Sequence, residues 1–148
     1  MATAAPAKAP AHLLIVGLVS LLWNGFGAFD YVMSQTDNAW YLSQVMQISD
    51  AGRAYLDAFP AWADSAWAIG VWGALVGSIL LLMRSRHAFW AFVASLAGLL
   101  ASTIYQYALS AMPEDMRSSN LVIVIIVWVI AIALLVYSYQ MRAKGVLR

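Results

Sequence analysis

The chain contains no cysteine. That excludes disulfides, thiolate metal sites and cysteine nucleophiles. Charge is scarce as well: Asp, Glu, Lys and Arg make up 10% of the residues against 64% hydrophobic ones, which excludes an ordinary soluble domain. No glycine-rich phosphate loop, Ser–His–Asp set or metal-ligand cluster can be found. With 148 residues, little chain is left over for a soluble catalytic domain. These absences point to a protein without enzymatic activity.

Long apolar runs are present instead. Leu13–Phe29, Ser65–Met83, Ala88–Met112 and Ser118–Met141 carry almost no charge. Each is close to the about 20 residues that cross a hydrocarbon core, and none shows the polar stripe of a soluble helix. Spans are expected at about His12–Met33, Ala63–Met83, Ala88 to about Leu109, and Ser118 to about Gln140. The predicted fold is all-α: a four-transmembrane-helix bundle forming one domain, 12–141. A disordered tail (1–11) precedes it and a basic tail (142–148) follows. A cleavable leader over Lys8 and Leu13–Leu22 is the rival reading. The residues that follow, Trp23-Asn24-Gly25-Phe26, make a poor cleavage site.

Charge sign sorts along the chain. All seven acids (Asp30, Asp37, Asp50, Asp57, Asp64, Glu114 and Asp115) fall at one side of the threaded bundle. Lys8, Arg84, Arg86, Arg142, Lys144 and Arg148 fall at the other, and only Arg53 and Arg117 join the acids. By the positive-inside rule both termini are cytoplasmic, as expected in a bacterial inner membrane. The basic side is attracted to anionic headgroups and is too sparse for nucleic acid.

Spans two and three, joined only by Arg84-Ser85-Arg86-His87, are expected to be antiparallel neighbours. They would pack through Gly70, Gly73 and Gly77 against Ala91, Ser95, Gly98 and Ser102. Pro113 forces a turn, and Ser118, Ser119 and Asn120 offer caps for span four. That span, rich in Val and Ile, reads as the most lipid-exposed or as a subunit contact. Between spans one and two, Tyr41, Val45, Ile48, Gly52, Tyr55, Leu56 and Phe59 recur at helical spacing, opposite Ser43, Gln47, Asp50 and Asp57. This segment reads as an amphipathic periplasmic lid of two short helices, broken near Asp50 and Gly52 and stopped by Pro60.

Two groups of residues could carry chemistry. Counting inward puts Trp23, Trp72 and Trp128 near the bilayer centre with Asn24 and Gly98. Trp prefers the interface, and an amide at that depth needs partners, here Ser95, Ser102 or a carbonyl. The layer is either large-against-small packing or a site for a neutral polyhydroxylated solute. Asp30 lies at the C-terminal end of span one, where the helix dipole disfavours it. Its expected partners are Arg53, Arg117, Tyr105 or Gln106, in a structural pair or a proton- or cation-coupling site; the alternative is a carboxylate that reaches headgroup water. His12 and His87 read as interfacial anchors and not as haem ligands, and no cofactor is expected.

Trp23-Asn24-Gly25-Phe26-Gly27-Ala28-Phe29-Asp30-Tyr31, Ala68-Ile69-Gly70-Val71-Trp72-Gly73-Ala74 and Ser102-Thr103-Ile104-Tyr105 resemble signatures of a family of small four-span proteobacterial inner-membrane proteins. The family is uncharacterised and loosely labelled "sugar transporter". The resemblance implies a solute carrier or binding protein, working as a homo-oligomer because four helices barely surround a polar path. The alternative is an accessory subunit of a larger membrane complex. A cavity lined by Trp23, Asn24 and Trp72 would favour the first, and a filled core with an apolar outer face the second.

Overall fold

The computed structural model describes residues 9–148, so most of the expected tail 1–11 lies outside the described residues. Helix accounts for every regular element among them. Four helices are long and apolar enough to cross a membrane: α1 (Ala11–Gln35), α3 (Ala61–Leu82), α4 (Ala88–Ile104, extended by a π-helical turn over Tyr105–Leu109) and α5 (Glu114–Ala143). A second π turn, Tyr41–Val45, and the short helix α2 (Asp50–Asp57) form the lid between α1 and α3. The acids gather where α1 and α4 stop and α3 and α5 start (the acidic end). The opposite, basic end holds Arg84, Arg86, Arg142, Lys144 and Arg148.

Lipid supplies no hydrophobic drive between helices, so small residues and polar bonds decide which helices meet. The closest pair is α3 and α4. At Gly98 a Cβ would sit 2.5 Å from the Ala66 carbonyl oxygen and 2.5 Å from the Gly70 nitrogen, so only glycine permits this approach. Ser95 Oγ donates to the Gly70 carbonyl across the seam at 2.6 Å. Helix α1 lies against α3, Gly17 facing Leu82. Helix α5 is the least covered of the four, with 11% of its most apolar window buried against 22–28% in the others. A buried cluster at the basic end joins Leu13, Leu81, Phe92, Leu134 and Met141 to Val146 and Leu147. There the chain folds back, and Arg148 exchanges backbone hydrogen bonds with Arg86 and Arg84 at 2.9 and 2.8 Å.

Two local expectations need correction. The lid breaks at Met46–Ser49, not at Asp50 and Gly52: Ser49 Oγ caps the Gly52 amide at 3.1 Å and starts α2. Helix α5 starts at Glu114, directly after Pro113, not at Ser118–Asn120. Proline pre-sets the backbone just outside a helix. Ser118 and Ser119 instead bond back to the carbonyls of Glu114 and Asp115.

Candidate functional site

In the central layer the polar groups find partners within the helix seams. Asn24 Nδ2 donates to Ser78 Oγ at 2.8 Å and to the Ala74 carbonyl at 3.3 Å. Ser95 and Ser102, the hydroxyls expected to meet it, bond elsewhere, to the carbonyls of Gly70 and Leu99. Trp23 and Trp72 are 38% and 42% exposed, and Trp72 meets Tyr31 edge-on with ring centroids 6.5 Å apart. Trp128 belongs to another seam, where its Nε1 donates to Thr103 Oγ1 at 3.2 Å. The expected common level fails because the register of α1 on α3 is set by close contacts and not by distance from the loops. Gly17 faces Leu82, Asn24 faces Ala74 and Ser78, and Tyr31 faces Trp67 and Trp72. Trp72 therefore sits about four residues, or about 6 Å, nearer the acidic end than Trp23.

At the acidic end the expected pairing of Asp30 is also corrected. Among the described residues Asp30 meets none of Arg53, Arg117, Tyr105 and Gln106. Its Oδ1 accepts from the Tyr41 hydroxyl at 2.7 Å. Tyr41 is brought there by the π turn and is 1% exposed. Burial, then the hydrogen bond to Asp30, pushes its hydroxyl above the ordinary tyrosine range, so Tyr41 stays a donor. Arg53 pairs with Asp37 at 3.1 Å. The Arg117 guanidinium lies over the Tyr107 ring at 6.0 Å. Gln106 accepts from Asn120 at 3.3 Å. Tyr105 stacks edge-on with Phe59 (4.9 Å) and Trp62 (5.5 Å).

These contacts make the lid a clasp. It grips α1 through Tyr41–Asp30 and α5 through Ser49 Oγ, which donates to Asp115 at 2.7 Å. The Tyr55 and Ser110 hydroxyls meet at 2.8 Å. Gly52 is covered by the Met116 side chain.

A crevice of about 240 Å³ opens beside the clasp, lined by Ser34, Gln35, Asp37, Leu56, Asp57, Phe59, Asp64 and Trp67. Gln35 Nε2 donates to Asp64 inside it, and Trp67 is edged by Tyr31 at 5.0 Å. Carboxylates on an aromatic wall can hold a small polar solute. Nearby, Arg53 Nη2 and the Tyr107 hydroxyl are enclosed with no hydrogen-bond partner among the described residues. Sequence reasoning missed this crevice because its residues come from three segments; the dense acids of 30–64 were the available signal.

His12 and His87 do not meet. His12 Nδ1 bonds the Tyr137 hydroxyl at 2.6 Å, while the His87 amide donates to Ser85 Oγ. No group of three or more His, Asp or Glu side chains suited to a metal exists among the described residues. Compared with family models, curated proteins and solved structures, the chain matches none.

Proposed function

We propose that the protein is a non-catalytic, multi-pass subunit of a larger assembly in a bacterial inner membrane, with both termini cytoplasmic. Charge sorting across the four spans supports that orientation. The observation that carries the subunit reading is the packed seam at the centre. Gly98 rests on the backbone of α3 and the Asn24 amide donates to Ser78 and Ala74, contacts that favour packing over a polar path within one copy. Meanwhile Val122, Ile125, Val129, Ile132 and Val136 form an exposed stripe along α5. Regularly spaced β-branched residues are stiff and offer a partner helix a surface that costs little side-chain entropy to order.

The test is purification in mild detergent with and without Val129→Trp. A membrane protein at fixed stoichiometry should co-purify with the native chain and be lost with the variant, while helical content and melting stay unchanged. A native chain that purifies alone and binds or exchanges a solute in liposomes overturns the reading.

One observation favours a second reading, a solute-binding protein of the kind the family resemblance implies. The acidic-end crevice would then be the site, in place of Trp23, Asn24, Trp72 and Trp128. A polyhydroxylated or cationic solute suits its carboxylates and its Phe59 and Trp67 walls. Asp57→Asn with Asp64→Asn should abolish binding measured by calorimetry if this reading holds.

A further inference from the structure

Helix α5 is tied to α4 by polar and cation–π contacts towards each end, and a groove opens between them beside the packed Phe92 and Leu134. Towards the acidic end the links are Asn120 to Gln106 and Trp128 to Thr103. At the basic end the Arg142 guanidinium covers the rings of Phe89 (5.5 Å) and Trp90 (5.9 Å). Between these fastenings runs a groove of about 280 Å³, lined by Val93, Leu96, Ala97, Leu100, Trp128 and Leu135. Its only polar atom of note, the Trp128 N–H, is already bonded to Thr103.

The groove has a direction and a length. Trp128, Leu135 and Arg142 are spaced by seven, so they share one face of α5. Trp90, Val93, Ala97 and Leu100 do the same on α4. From Trp128 to Arg142 the helix rises about 21 Å, somewhat more than half of the about 30 Å hydrocarbon core. The lined groove itself covers Trp128 to Leu135, and Arg142 lies about two further turns towards the basic end, so a chain reaching from Arg142 to Trp128 would cross about one leaflet. Beyond Leu135 the α4–α5 surface continues to the basic end, where Arg142 and Trp90 are both exposed.

Charge names the occupant. Arg142 meets two rings and no carboxylate among the described residues, since every acid lies at the other end. Arginine binds phosphate through a planar fork. Arg86, Lys144 and Arg148 add positive field at the same rim. We infer that the α4–α5 groove holds one acyl chain of an anionic phospholipid, with the headgroup phosphate on Arg142. Nearby cations attract the acidic headgroup, and the apolar walls select a chain over a free phosphate.

The test uses the full chain in mild detergent, titrated with phosphatidylglycerol or phosphatidylcholine brominated at mid-chain. Quenching assigned to Trp128, by difference from Trp128→Phe, should appear at about tenfold lower lipid fraction with phosphatidylglycerol, the preference of one charge-assisted contact. Arg142→Gln should reduce phosphatidylglycerol to the level of phosphatidylcholine. Ala97→Phe, at an exposed position, should fill the groove and remove the Trp128 signal with both lipids. Equal quenching by the two lipids in the native chain would mean an ordinary lipid annulus and would overturn the inference. So would displacement of the lipid by inorganic phosphate alone, or a dimer in native mass spectra that Ala97→Phe dissolves.

Discussion

Replacing Gly98 by alanine adds one methyl group to the tightest seam of the bundle. The new Cβ would stand 2.5 Å from the Ala66 oxygen and from the Gly70 nitrogen, and 3.0 Å from the Gly70 Cα. Ordinary contact begins at 3.4 Å, and the obstructing atoms are backbone, which cannot swing aside. Helices α3 and α4 must separate locally by nearly an ångström, stretching the Ser95–Gly70 hydrogen bond as they do. Overpacking of this kind costs about 1–3 kcal/mol, and an interhelical hydrogen bond in a membrane protein contributes about 0.6. Alanine's better helix propensity returns up to about 1 kcal/mol. The net loss is therefore about 1–2 kcal/mol.

Gly25 and Gly27 provide the internal control, because nothing lies within 4 Å of a Cβ at either position. There the propensity gain stands alone and alanine should stabilise by about 0.5–1 kcal/mol. Unfolding in mixed micelles of maltoside and rising dodecyl sulfate, followed by far-UV circular dichroism, measures both. Gly98→Ala and Gly25→Ala should differ by about 2 kcal/mol, a factor of about 30 in the unfolding constant. Should Gly98→Ala prove as stable as Gly25→Ala, the glycine seam is not what joins α3 to α4.

Other substitutions test other links. Asn24→Leu removes the bonds to Ser78 and Ala74 and should cost about 0.5–1.5 kcal/mol in the same titration, a modest loss because Ser78 keeps its own bond to Ala74. Tyr41→Phe leaves Asp30 half-buried without its donor and should cost about 1–3 kcal/mol; in a double-mutant cycle, Asp30→Asn should then add little. Because the folded-state pKa of Tyr41 is raised, this stabilisation is complete below the ordinary tyrosine pKa of about 10 and is lost only as pH rises through the higher folded value. Melting temperatures of wild type and Tyr41→Phe should therefore keep a constant gap from neutral pH to about pH 9. Arg53→Gln should change stability by less than about 1 kcal/mol, since its partner Asp37 is 65% exposed in its side chain and solvent screens the pair.

The four spans were legible because run length and charge sorting need no knowledge of neighbours. The α3–α4 pairing was legible for the same reason, a four-residue turn and small residues in step. The level of each side chain was not. Counting inward from the loops assumes that every helix meets the membrane at one height, whereas contacts such as Gly17 on Leu82 set the actual register. The partner of Asp30 is not legible from charge, because the only cations at its end belong to other contacts. The lid folds back over α1 and delivers a tyrosine from eleven residues further on. By spacing Tyr41 falls on the apolar face of the lid, and its hydroxyl is the signal that suits it to a carboxylate. The start of α2 was readable in Ser49 with Gly52 three residues later, the usual spacing of an N-cap.

Where polar contacts fall along the bundle bears on what it can do. At the acidic end the lid ties α1 to α5 by hydroxyls and carboxylates. At the basic end the Tyr137 hydroxyl meets His12, and the last residues bond back to the α3–α4 turn. Between the ends the helices meet mainly through glycine, serine, aromatic and aliphatic side chains, with the Asn24 amide donating twice in the α1–α3 seam and the Trp128 indole donating to Thr103 in the α4–α5 seam. A carrier working by rocking its helices must break and remake contacts at one end while keeping those at the other. Here both ends are fastened, and the centre is held by backbone contact that allows no sliding without collision at Gly98. Helix α5 has the least covered surface of the four, so it is the face on which contact with another chain is most readily tested. Cross-linking through cysteines introduced at Val129 and Ile132 in this cysteine-free chain would show whether copies meet there, and the absence of any adduct in membranes would rule out a self-contact along this stripe.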